Sequence, residues 1–273
     1  MRGVGRNRTA IAALVLLIAA LACGEETPLP EASPETLANT PEGLPTPTAA
    51  GERILSIDIT MTEESQRDEA TAYDTAVGII KDAGATATSY TIYWDEFEPK
   101  PGKYAPVLQE WLEVVNLYYP YREIDLTLNI AVVDMTHKRV PSDLMDTRFD
   151  SPEMIARFNA FLDQTIGEIY GPHLVSLAIG NEADGYLGTG PDTWEAYQVF
   201  YEATAEHVRS IRPDLAIGTK ATYDGMMGDV AAEVKALNTT SDVIMVTYYP
   251  MGDDGKAQDP SEVMRDFDAL VAA

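Results

Sequence analysis

Asn181 and Glu182 are an amide and a carboxyl set at the end of an apolar run. Residues 174–179 (Leu-Val-Ser-Leu-Ala-Ile) read as a buried strand, and the pair after Gly180 breaks its pattern abruptly. A carboxylate where a strand meets a loop is costly unless it is paired or used. The natural use is proton transfer by Glu182, with Asn181 orienting a substrate beside it. Other chemistry-bearing residues close similar runs: Trp94, Asp134 and Tyr248. His137 follows the third run, where it either lines a site or sits in a solvated loop. His137, His173 and His207 do not cluster with Cys or acidic residues at metal-ligand spacing, so no metal site is expected. No serine nucleophile elbow is present.

The elements that must position these residues alternate in type. Strand-like runs at 54–61, 86–94, 124–133, 174–179, 215–221 and 243–248 are separated by helical patterns at 70–83, 107–118, 154–170, 194–211 and 230–237, and another helix starts at 261. Alternation of this kind predicts right-handed crossovers and a parallel sheet. No Gly-rich phosphate loop follows the first run, so no dinucleotide cofactor is expected. Doubly wound sheets and barrels share this pattern. Functional side chains spread over several strand ends favour the barrel, whose site is assembled in that way. The expected fold class is therefore α/β, a (β/α)8 TIM barrel, incomplete, with about six of its eight units in this chain. A fragment or truncated gene is expected on that count, with two exposed sheet edges.

Composition narrows the class. The chain has 273 residues, 45% of them hydrophobic, and a formal net charge of −25. That charge excludes nucleic acid as a partner, since phosphate binding needs clustered Lys and Arg. Arg2, Arg6 and Arg8 precede an apolar run at 11–21, and Ala20-Leu21-Ala22-Cys23-Gly24 follows. This reads as a signal peptide over 1–22, too short for a comfortable membrane span. Cys23, the only cysteine, stands where a bacterial lipobox places its lipidated residue. Residues 23–51, rich in Pro, Thr and Glu, cannot bury enough apolar surface to fold and read as a tether. The expectation is an exported monomer, lipid-anchored on the extracytoplasmic face of the cell membrane, with its folded domain at 52–273.

The second run leads into Tyr93-Trp94-Asp95-Glu96-Phe97-Glu98-Pro99-Lys100-Pro101-Gly102-Lys103-Tyr104. Together with Asn181-Glu182 and Tyr248, this stretch resembles the clan A glycoside hydrolases. The resemblance implies a retaining glycosidase acting on β-linked poly- or oligosaccharides without a cofactor. Such enzymes need two carboxyl groups about 5 to 5.5 Å apart. By resemblance Glu182 is the general acid/base, Asn181 holds the sugar 2-hydroxyl, and Tyr248 stands near the nucleophile. Trp94 either stacks on a sugar or fills the barrel top. Asp134 and His137 are further substrate contacts, and Glu98 is a structural acceptor in its loop. The nucleophile of that clan ends the seventh strand, which these residues do not include, so this chain alone is expected to be inactive. Asp184, Asp253 and Asp254 are poor substitutes because they lie in loops. The alternative is a non-catalytic carbohydrate-binding or solute-binding surface lipoprotein.

Overall fold

The computed structural model describes residues 54–59, 69–251 and 256–272. The segments expected as signal peptide (1–22) and tether (23–51), with Cys23, lie outside the described residues. The elements in order are α1 (Glu69–Asp82), β1 (Ala87–Tyr93), α2 (Trp94–Phe97), α3 (Pro106–Tyr121), β2 (Asp125–Asp134), β3 (His137–Lys138), α4 (Pro152–Thr165), β4 (Leu174–Asn181), α5 (Ala183–Leu187), α6 (Pro191–Ile211), β5 (Ala216–Gly218), β6 (Lys220–Thr222), α7 (Tyr223–Met227), α8 (Ala231–Leu237), β7 (Met245–Thr247) and α9 (Pro260–Ala272).

Local chemistry explains the main helices. Proline opens α3, α4 and α6, where its fixed φ suits the first turn and its missing N–H costs nothing. Ser151 caps α4 by accepting from the Glu153 amide at 3.2 Å. Each helix buries one face: Leu108, Trp111, Leu112 and Val115 on α3, Met154, Phe158, Phe161 and Leu162 on α4, and Tyr197, Phe200, Tyr201 and Val208 on α6. β2 is buried almost continuously from Leu128 to Val133, as expected of a parallel strand covered on both faces.

The strands β1, β2, β4 and β5 hydrogen-bond in that order, all parallel, and β6 pairs parallel with β7. Ser56 forms a parallel bridge with Ala87, which sets segment 54–59 on the outer side of β1. Strand order thus follows chain order without reversal. A doubly wound sheet reverses at its centre, whereas a barrel does not. The fold is an incomplete (β/α) barrel, as expected.

Several features differ from the sequence expectation, and the helix expected over 154–170 already ends at Thr165. Segment 54–59 makes a single bridge rather than a ladder. The fifth run is two short strands broken at Thr219. A two-residue strand, β3, folds back antiparallel on β2. The short helices α2, α5 and α7 stand directly after strands, where apolar periodicity is too brief to reveal them.

Candidate active site

The carboxyl-terminal ends of the parallel strands bring Asp134, Asn181 and Glu182 together. Ile130 lies opposite Ile179, but Asp134 lies opposite Asn181, so β2 spends more residues than β4 over the same span. This bulge re-aims the end of β2 toward β4. Asn181 Nδ2 donates to Asp134 Oδ1 at 2.8 Å. An amide nitrogen carries two hydrogens, so one remains for a ligand.

The turn before Glu182 is tightly specified. Tyr197 on α6 donates its hydroxyl to the Ile179 carbonyl at 2.9 Å. Gly180 has φ +91, and a Cβ there would fall 2.2 Å from that hydroxyl oxygen, so only glycine fits. Glu182 follows in the left-handed region at φ 48 and ψ 50. Its side chain is 5% exposed. The Tyr249 hydroxyl donates to Glu182 Oε1 at 3.0 Å. That bond, followed by burial and by the charges of Glu182 and Asp134, holds the Tyr249 phenol above its ordinary pKa. Lys220, at the start of β6, is half-buried. Burial lowers its pKa, opposed by the fields of Asp58, Glu182 and Asp134. Carboxylates from three different strand positions acting on one ammonium mark the mouth of the barrel.

The remaining expected residues are distributed less simply. Tyr248 does not join the cluster. Its hydroxyl meets Asp266 Oδ2 at 2.8 Å, and its ring packs edge-on against Tyr223 and Phe267. The adjacent Tyr249 occupies the place beside Glu182. Trp94 is 0% exposed, wedged against Phe158 and Phe161, and donates its indole N–H to Glu98 Oε2 at 2.7 Å. A ring with no accessible face cannot stack on a sugar, so Trp94 fills the barrel top. Glu98 also accepts from the Gly102 amide and from Arg157, as a structural acceptor should. His137 is exposed and sits opposite Asp134 in the β2–β3 ladder. Asp184 is held by Thr222, and Asp253 and Asp254 lie outside the described residues. No cluster of three or more His, Cys, Asp or Glu residues able to hold a metal occurs among the described residues. A cleft of about 220 Å³ bordered by Phe149, Tyr186, Leu187 and Thr193 flanks α5.

Sequence reasoning missed Tyr249 and Lys220. The Tyr248-Tyr249-Pro250 triplet does hold a signal, since two adjacent tyrosines directly follow β7 and offer two hydroxyls for one place. Which tyrosine faces inward depends on the register, which the triplet alone does not state. Lys220 carries no local signature, because its surroundings come from distant parts of the chain.

No protein-family model and no curated protein matches this sequence. Solved structures do match in fold. An exo-β-1,4-mannosidase from Opitutaceae bacterium strain TAV5 is similar over 72% of this chain and 38% of its own, at TM-score 0.60 and 18% identity. A β-glucosidase from Exiguobacterium marinum is similar over 75% of this chain and 65% of its own, at TM-score 0.52 and 12% identity. A GH5_18 protein from Bifidobacterium longum subsp. longum, solved with Manβ1-4GlcNAc, is similar over 64% of this chain and 44% of its own, at TM-score 0.53 and 12% identity. The chain thus spans less than two thirds of the length of each of these proteins. The likeness is one of fold, the parallel β/α barrel.

Proposed function

We propose that this chain is part of a retaining β-glycosidase that hydrolyses O-glycosidic bonds of β-linked poly- or oligosaccharides. The observation that carries the reading is Glu182: a buried carboxyl at the end of the fourth strand position, hydrogen-bonded by Tyr249 and flanked by the Asn181–Asp134 pair. In this reading Glu182 protonates the leaving oxygen and then, as carboxylate, activates water. Asn181 offers its second amide hydrogen to the sugar 2-hydroxyl, and Tyr249 orients the Glu182 carboxyl. Asp134 and, at the rim, His137 are the further sugar contacts. The fold shared with a mannosidase, a glucosidase and a Manβ1-4GlcNAc-binding protein supports a carbohydrate partner.

Residues 1–22 are proposed as a signal peptide and 23–51 as a tether lipidated at Cys23. They would place the 52–273 domain as a monomer on the extracytoplasmic face of the membrane.

The test is hydrolysis of aryl β-glycosides and of β-glucans, galactans and xylans by the full-length protein and by Glu182→Gln. Loss of roughly 10²- to 10⁴-fold in kcat is expected, the usual contribution of a general acid/base. Equal turnover by the two proteins removes Glu182 from that role.

A further inference from the structure

Glu182 stands on a backbone that its own residue type does not favour. The left-handed region is visited mainly by Gly, Asn and Asp, yet Glu182 lies there at φ 48 and ψ 50. Such a conformation persists only where the surroundings enforce it.

The residue two positions on supplies the enforcement. Glu98, Glu182 and Asp184 are the buried carboxylates among the described residues. Asp184 Oδ1 accepts from the Thr222 amide at 2.9 Å, and its Oδ2 accepts from the Thr222 hydroxyl at 2.6 Å. The same hydroxyl accepts from the Gly225 amide at 2.8 Å and caps α7. Its proton is therefore committed to Asp184, which fixes the direction of each bond. Gly225 presses against the carboxylate so closely that a Cβ there would lie 2.4 Å from Asp184 Oδ2. On the opposite side, the Met135 amide donates to the Asn181 carbonyl at 3.1 Å. The turn bearing Glu182 is thus bolted to the ends of β6 and β2. An N-cap for a five-residue helix needs none of this.

We infer that Asp184 is a positioning residue for Glu182: through Thr222 and Gly225 it holds the left-handed turn that aims the Glu182 carboxyl at the Tyr249 hydroxyl and at the substrate. Its kinetic consequence rests on the acid/base role proposed above, while its geometric consequence does not.

The experiment compares Asp184→Asn, Gly225→Ala and Thr222→Ser with the parent protein and with Glu182→Gln. Gly225→Ala displaces the carboxylate without altering it, and it carries the comparison if Asp184→Asn does not fold. Thr222→Ser keeps the hydroxyl and is the conservative control. Tyr249 is followed by NMR of ring-labelled tyrosine, since its raised pKa reports the Glu182 contact. Its midpoint should fall toward the value in Glu182→Gln for Asp184→Asn and Gly225→Ala, and should stay at the parent value for Thr222→Ser. On an aryl β-glycoside the two disruptive variants should lose roughly a hundredfold in kcat at nearly constant KM, as a misplaced group does. An unchanged Tyr249 midpoint in folded Asp184→Asn and Gly225→Ala overturns the inference. If the parent and Glu182→Gln hydrolyse alike, the glycosidase reading fails, and the Tyr249 midpoint alone then decides the anchor.

Discussion

The phenol of Tyr249 reaches Glu182 from a ring that is 68% exposed, so its value lies in direction rather than burial. Tyr249→Phe should leave the fold intact and reduce kcat on an aryl β-glycoside by about tenfold, the scale of one lost hydrogen bond to a charged group. Unchanged kcat would show that Glu182 needs no such partner. The pH dependence of this bond has a definite sign. The folded pKa of Tyr249 is raised above 10.0, so the stabilisation is fully present below that pH and is lost as pH rises through the folded value. The stability difference between the parent and Tyr249→Phe should therefore shrink in strong alkali. Trp94 behaves oppositely, as a fully buried ring among Phe158 and Phe161. Trp94→Ala should cost about 3 to 5 kcal/mol in denaturant unfolding, the range for large core deletions. Only Trp94 was legible as an aromatic at a strand end, since Tyr248 was read in place of Tyr249. The opposite exposures of Trp94 and Tyr249 were not legible, because exposure depends on what α4 and the β7 loop bring alongside.

At the scale of elements, two joints matter. The first is the β4 turn, where Tyr197 of α6 reaches the Ile179 carbonyl over Gly180. Gly180→Ala should destabilise by roughly 2 kcal/mol or more through left-handed strain and overlap with the hydroxyl. Tyr197→Phe in the same chain should recover part of that loss, and no recovery would mean that strain alone is responsible. The second is the loop from Glu98 to Gly102, clamped to α4 by Arg157. Glu98→Ala should cost about 2 kcal/mol or more in thermal or denaturant unfolding, because it leaves the Trp94 indole N–H and the Gly102 amide without their acceptor, while Arg157 keeps its pairing with Asp143. A cost below about 1 kcal/mol would place this pair among the weak surface bridges. The long helices were readable from Pro starts and apolar periodicity. The bulge in β2 was not, since two extra residues within the apolar stretch 130–133 leave no mark in the pattern.

For the whole molecule, apolar side chains remain exposed along both sides of the strand array. Ile244, Met264, Phe267 and Val271 lie on the β7–α9 side, and Ile54 and Leu55 on the segment before β1. Sheet edges and apolar patches of this kind are ordinarily covered. Replacing Ile244 and Met264 by Ser should lower the binding of an apolar dye, and equal dye binding by the two proteins would detach the dye signal from this surface. The sequence by itself determined the alternation of strands and helices, the parallel sheet it implies, and the position of Asn181 and Glu182 at a strand end. Those are local matters of period, composition and punctuation. Tertiary structure decided which of two adjacent tyrosines faces Glu182, that Trp94 is sealed in the core, and that Asp184 and Lys220 stand beside the site. These depend on register and on approach between segments tens of residues apart, which no local pattern encodes.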